Sequence, residues 1–219
     1  ERKRKLIVRY IQEQHGRAVD KRRVCRLPYI CNATIKACAM NKDNKNELFP
    51  WVDNEGNVIG HILRGEAHNG SKKLHPVVHL HVFNSQGELY LQKRPQWKDI
   101  QPGKWDTACG GHIDYGENVE QALKREVGEE LGIHNFVPDK ITSYIFESNI
   151  EREYVNVFAT VYNGDVNPSK EELEGGRFWT LEDIENNIGQ NVFTPNFERE
   201  YRNVVVPYLQ KQNTHLKQQ

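Results

Sequence analysis

Long apolar runs are missing from this chain of 219 residues. Nothing approaches the ~20 consecutive apolar residues of a membrane-spanning helix, and the apolar core of a secretory leader is absent too. Cysteine is scarce. There are four, and Cys25, Cys31 and Cys38 all fall before residue 40. They show no paired C-x-x-C spacing, which removes the common zinc ribbons, and nothing marks the disulfide framework of a small secreted domain. The expectation is a reducing, cytoplasmic setting with no membrane partner. No repeat or linker splits residues 46–212, so one domain with a full core is expected there.

Formal net charge is also lacking, at zero, but the balance hides an asymmetry. Residues 1–39 hold 11 Lys/Arg and 3 Asp/Glu, whereas residues 40–219 hold 19 and 27, so the two parts carry about +8 and −8. The basic stretch has three readings. A nucleic-acid arm would show an aromatic-basic pattern or a known motif, and none is present, so nucleic acid is not the expected partner. A solvated tail is the second. The third, which we favour, rests on Met40, the only methionine. Residue 1 is Glu and composition changes sign at Met40, so translation would begin there. Residues 1–39 would then be upstream read-through or an expression artefact, and the domain would be residues 40–219.

What is present is concentrated in residues 111–133. Val119, Leu123, Val127 and Leu131 recur every four residues, as the packing face of a helix requires. Asn118 with Gln121 reads as a capping-box start and Gly132 as a stop. On that helix Glu126, Glu129 and Glu130 fall on one side, since i, i+3 and i+4 are neighbours at ~100° per residue. Three carboxylates together repel or take up protons unless a counter-charge is supplied. A hard divalent cation supplies it, and Mg²⁺ pairs carboxylates with substrate phosphates. A solvated acidic face is the bland reading of clustered Glu. Gly128 costs the helix ~1 kcal/mol relative to Ala with no evident return.

Gly111, Glu117, Arg125, Glu126, Val127, Glu129, Glu130, Gly132 and Ile133 stand at fixed spacing. In all nine places the stretch resembles the box of the Nudix hydrolases. That resemblance implies an α/β fold, a Nudix-type α/β/α sandwich with a mixed sheet. It also implies Mg²⁺ held by Glu126, Glu129 and Glu130, with the Gly111 carbonyl as a further ligand and Mn²⁺ as an alternative ion. Arg125 would orient the carboxylates and Glu117 would support them at the box entrance.

From Arg64 to Gly132 the chain is also similar to isopentenyl-diphosphate isomerase, itself of Nudix fold. That enzyme's metal site of three histidines and two glutamates would fall on His68, His75, His112, Glu151 and Glu153. This would be a second divalent site, suited to Mn²⁺, Zn²⁺ or Mg²⁺. Its diphosphate-binding cations would fall on Arg64, Arg94 and Lys98. The resemblance has gaps. The isomerase's catalytic cysteine aligns with Gly110, and Cys109, one place earlier, would point to the opposite face of a strand. The isomerase's Trp aligns with Asn196. The box glutamates, degenerate in the isomerase, are intact here.

The remaining elements read as a hairpin of residues 48–53 and 58–63, and loop or short helix over 64–73. Strands follow at 76–83, 88–93 and 105–111. After the box come strands at 141–146, 154–162 and 177–180, a helix at 181–188 capped by Thr180, and a long helix over 195–210 ending or kinking near Pro207. His79 and His81 share one face of a strand and read as half-buried residues rather than ligands. The leading functional expectation is a Mg²⁺-dependent hydrolase of a small diphosphate substrate, nucleoside, sugar or isoprenoid. Glu129, Glu130 and Arg125 would be central, with Glu130 or Glu153 as general base. Arg64, Arg94 and Lys98 would clamp the diphosphate. The alternatives are an isomerase of allylic diphosphates and a non-catalytic diphosphate-binding module, and a homodimer is compatible with any of them. Five imidazole and carboxylate groups, from His68 to Glu153, are expected to converge on one pocket beside the box helix.

Overall fold

Turn-forming residues 54–57 join β1 (Leu48–Val52) and β2 (Val58–Leu63) into an antiparallel two-stranded sheet. Asp53 builds the turn. Its Oδ1 accepts from the backbone N–H groups of Glu55 and Asn57 at 3.0 and 2.8 Å, and Gly56 supplies the left-handed φ of 87°. One turn of helix, α1 (Arg64–Ala67), follows. The computed structural model of the chain describes residues 44–98 and 101–215. The expectation for residues 1–39 therefore lies outside the described residues.

The second sheet holds β3 (Leu74–Phe83), β4 (Leu89–Lys93), β5 (Trp105–Asp106), β6 (Cys109–His112), β7 (Asp139–Glu147), β8 (Arg152–Val161) and β9 (Gly175–Trp179). Its main path runs β5-β4-β3-β8-β7, with β6 on β3 and β9 on β4. β3 and β8 are parallel along their length and the other pairings are antiparallel, so the sheet is mixed.

Alternation along β3 gives the sheet two buried faces. Val78, Leu80 and Val82 pack with Leu123, Val127 and Leu131 of α2 (Val119–Leu131). Phe83, with Leu89 and Leu91, packs against Ile184 of α3 (Leu181–Asn187), Phe197 of α4 (Pro195–Glu200) and Tyr201 beyond it. Helices thus cover both faces, the expected α/β/α arrangement. A 13-residue helix such as α2 is marginal alone. Each fully buried Leu or Val contributes roughly 1.5–3 kcal/mol, so packing decides that it forms. The capping box is complete, with Asn118 and Gln121 bonded reciprocally at 3.0 Å, and Gly132 ends the helix at φ 66°.

Two expectations change. The strand expected over 105–111 is two short strands, because β5 pairs with β4 while β6 crosses to β3. The long helix expected over 195–210 is continuous but not α-helical throughout, and it leaves α geometry just before Pro207, where a kink or end was expected. Residues Tyr201–Val205 form a π turn in which the Val206 N–H reaches the Tyr201 carbonyl, and α5 (Val206–His215) follows. Pro207 supplies the reason: it has no N–H for the carbonyl four residues back, and its ring crowds that carbonyl, so the helix widens just before it.

Candidate functional site

The box helix lies against the end of β6, and glycine permits the approach. A β-carbon at Gly111 would collide with the Glu126 carboxyl carbon. At Gly110 the backbone N–H donates to Glu130 Oε2 at 3.3 Å, and Glu130 is only 8% exposed. Arg125 ties the assembly together. Its Nε and Nη2 donate to the two oxygens of Glu117 at 2.9 and 2.8 Å, a bidentate pair. Its Nη1 donates to Glu126 at 2.8 Å and lies 3.4 Å from Glu129, and Nη2 also donates to the His112 carbonyl at 3.0 Å. The Glu117 bond raises the Arg125 pKa and, in return, holds the Glu117 carboxyl below its ordinary value. Glu129 is the most exposed of the three glutamates and faces outward.

A second cluster stands on the other side of β6. Along that strand Cys109 and Gly111 face the box helix, whereas Gly110 and His112 face away from it. His112 meets His68 there, Nε2 to Nε2, at 3.1 Å. One ring nitrogen from each of His68, His75 and His112 lies within 4.8 Å of the others. Phe49 from β1 stacks on His112 at 4.4 Å between centroids. Burial pushes the His75 and His112 pKa values down, and for His112 the neighbouring His75 and Arg64 act the same way. Neutral imidazoles are the form that binds metal. The Nε2 of His75 is buried without a hydrogen-bond partner, so the donor set fits a cation.

Glu151 Oε2 lies 3.5 Å from His68 Nε2, so it joins the cluster. It does so from the β7–β8 turn, where its carbonyl accepts from the Ser148 N–H, and not from a strand face as expected. Glu153 stands opposite His75 in the β3–β8 register. Burial, then Glu151, pushes its carboxyl up to about 7. The expected pocket beside the box helix is thus displaced to the far side of β6, with the Arg125–His112 bond linking the two sites. Each of the expected cations has a contact of its own. Arg64 pairs with Glu47 at 2.9 Å and lies over Phe49. Arg94 reaches Asp106 at 3.4 Å, and Lys98 lies 4.9 Å from the Trp97 ring centroid.

Sequence reading missed Glu200. It is 2% exposed and accepts from His79 Nδ1 at 2.8 Å, His81 Nε2 at 2.8 Å and the Tyr144 hydroxyl at 2.6 Å. His79 and His81 are indeed half-buried or buried strand residues, and their shared face was the available signal. The partner was not visible because it arrives from α4 at the far end of the chain.

The NUDIX domain profile matches residues 73–197. An uncharacterized Nudix hydrolase of Pseudomonas aeruginosa is 33% identical over 132 residues, covering 60% of this chain and 78% of that protein. An isopentenyl-diphosphate Delta-isomerase of Mycolicibacterium vanbaalenii is 29% identical over 140 residues, covering 61% and 77%. Among solved structures, a MutT protein of Methanosarcina mazei is 26% identical with a TM-score of 0.51, covering 65% of this chain and 94% of that one. A Deinococcus radiodurans crystal structure, 24% identical and covering 71% and 98%, has a TM-score of 0.62 and shares the fold. Both the box geometry and these similarities lead to one statement of kinship: the chain belongs to the NUDIX domain family.

Proposed function

We propose that the chain is a divalent-metal-dependent hydrolase that cleaves a diphosphate linkage in a small organic diphosphate. The observation that carries this reading is Glu126 and Glu130 packed on the Gly110–Gly111 backbone, with Arg125 fixing Glu117 and Glu126 around them. Glu126, Glu129, Glu130 and the Gly111 carbonyl are oxygen donors of the kind that hold Mg²⁺ or Mn²⁺. When bound, the ion would polarise phosphoryl oxygens and lower the pKa of the attacking water. Arg125 keeps the carboxylates apart and oriented. Arg64, Arg94 and Lys98 would receive the substrate's diphosphate. Glu130 is the first choice of general base. Glu153 is the second, because a carboxyl lifted to about 7 changes protonation near neutral pH. The domain would be residues 40–219, working alone or as a homodimer.

His68, His75, His112, Glu151 and Glu153 would hold a second divalent ion, and this cluster favours the second reading, isomerisation of an allylic diphosphate. Against it, Gly110 offers no thiol where the isomerase carries its catalytic cysteine, and Cys109 is buried on the opposite face. A panel of nucleoside, sugar and isoprenoid diphosphates with Mg²⁺ or Mn²⁺ separates the readings. Phosphate release supports hydrolysis. Double-bond migration without phosphate release supports isomerisation, and tight binding with neither change supports a non-catalytic module.

A further inference from the structure

The segment just before α4 is laced to the end of the loop that begins at Arg94. Lys104 Nζ donates to Asn191 Oδ1 at 2.8 Å. The Trp105 N–H donates to the Val192 carbonyl at 3.1 Å, and the Thr194 N–H donates to the Trp105 carbonyl at 2.9 Å. The same segment fixes Asp106. The Thr194 hydroxyl gives its proton to Asp106 Oδ1 at 2.8 Å and accepts from the Phe197 N–H at 3.1 Å. One side chain thus caps α4 and holds a carboxylate. The Thr107 N–H donates to that same Oδ1 at 2.9 Å. With Oδ1 committed, Oδ2 lies 3.4 Å from Arg94 Nη1.

Arg94 is also fixed at its backbone. Its N–H donates to the Lys104 carbonyl at 2.9 Å and its carbonyl accepts from the Gly103 N–H at 3.1 Å. The Arg94 side chain is 25% exposed and that of Asp106 19%, so the pair is sheltered yet reaches solvent. A partly exposed ion pair at this distance adds little to stability. An arginine already held in one orientation, however, loses less freedom when it takes up a phosphate. Charge alone works the other way, because a carboxylate beside Arg94 offsets its charge and repels an anion. Orientation and charge therefore predict opposite effects of removing the carboxylate.

We propose that Asp106 is the positioning residue of Arg94, aiming its guanidinium at the substrate's diphosphate, and that Thr194 holds Asp106 for that task. The proposal rests on the diphosphate reading above, in which Arg94 receives the substrate. It makes the cap of α4 part of the substrate-binding loop.

Imidodiphosphate, which resists hydrolysis, is the probe, titrated calorimetrically with Mg²⁺ into the full chain. In Asp106→Asn the amide oxygen can still accept from Thr194, while the NH₂ group would face Arg94, donor against donor. Binding is expected to weaken about tenfold in Asp106→Asn and at least as much in Arg94→Gln. The double variant should bind no more weakly than Arg94→Gln alone, whereas a merely structural role would make the two losses add. Thr194→Val should share the loss, and Thr194→Ser, which keeps the hydroxyl, should recover it. Arginine Nε–H NMR needs no variant at Asp106. The signal that Arg94→Gln abolishes should be that of an ordered side chain in the wild type before the probe is added. A freely rotating Arg94, losses that add, or binding in Asp106→Asn that is tighter than the wild type or within twofold of it each overturn this proposal and leave the diphosphate reading standing. No binding to the wild type, or Arg94→Gln binding within twofold of it, overturns the role of Arg94 as well.

Discussion

A β-carbon at residue 128 would stand 3.1 Å from His134 Nδ1, which gives Gly128 the packing reason that its helix position alone did not suggest. His134 is exposed and can move by the few tenths of an ångström required. Gly128→Ala is therefore expected to stabilise the protein by somewhat less than the ~1 kcal/mol of helix propensity. Urea unfolding reads this, and a loss of stability would mean that His134 is held in place. Residues of this kind divide by what the sequence can express. Glu126, Glu129 and Glu130 were legible because helix periodicity alone puts them on one side. Gly111 was legible as a box position, but the reason for it, the Glu126 carboxyl lying over its backbone, exists only once the helix is docked on β6. Glu200 was not legible at all. It reads as one more acid on an amphipathic helix until α4 is docked on β3.

At the scale of elements, local chemistry was the better guide. The capping box of α2 was written in Asn118 and Gln121, and it forms as read. Asn118→Ala removes the acceptor for the Gln121 N–H and is expected to cost about 1 kcal/mol, measured by thermal or urea unfolding. A variant as stable as the wild type would show that packing against β3 and β6 holds the helix start without the cap. Where an element depends on its partners, sequence was a weaker guide. The break between β5 and β6 follows from each pairing with a different strand. The π turn at 201–205 follows from Pro207, yet its position depends on keeping Tyr201 and Val205 both in the core. Glu151 sits in a turn two residues from Glu153, so spacing by two did not mean a shared strand face.

For the whole molecule, the Glu200 group sets a dependence on pH. His79 is raised to about 9 in the folded protein, above its ordinary 6.5. Its contribution to stability is fully present below pH 6.5 and is lost as pH rises through about 9. Melting temperature measured with a chelator should therefore fall between pH 7 and pH 10, and His79→Gln should remove most of that slope. A flat profile in the wild type would mean that His79 is neutral. The charge reversal at Met40 gives a further expectation: deleting residues 1–39 should leave activity and melting temperature nearly unchanged, and a large drop would show that the segment packs on the domain.

The central claim is that the glutamates of α2 gathered on Gly110 and Gly111 perform metal-dependent diphosphate hydrolysis. Its most direct test is phosphate release in Mg²⁺ from the best substrate of the diphosphate panel, comparing the wild type with Glu129→Gln and Glu130→Gln. Each variant should fold and melt like the wild type while its rate falls at least a hundredfold, about 2.7 kcal/mol of transition-state stabilisation. An unchanged rate in either folded variant would contradict the assignment.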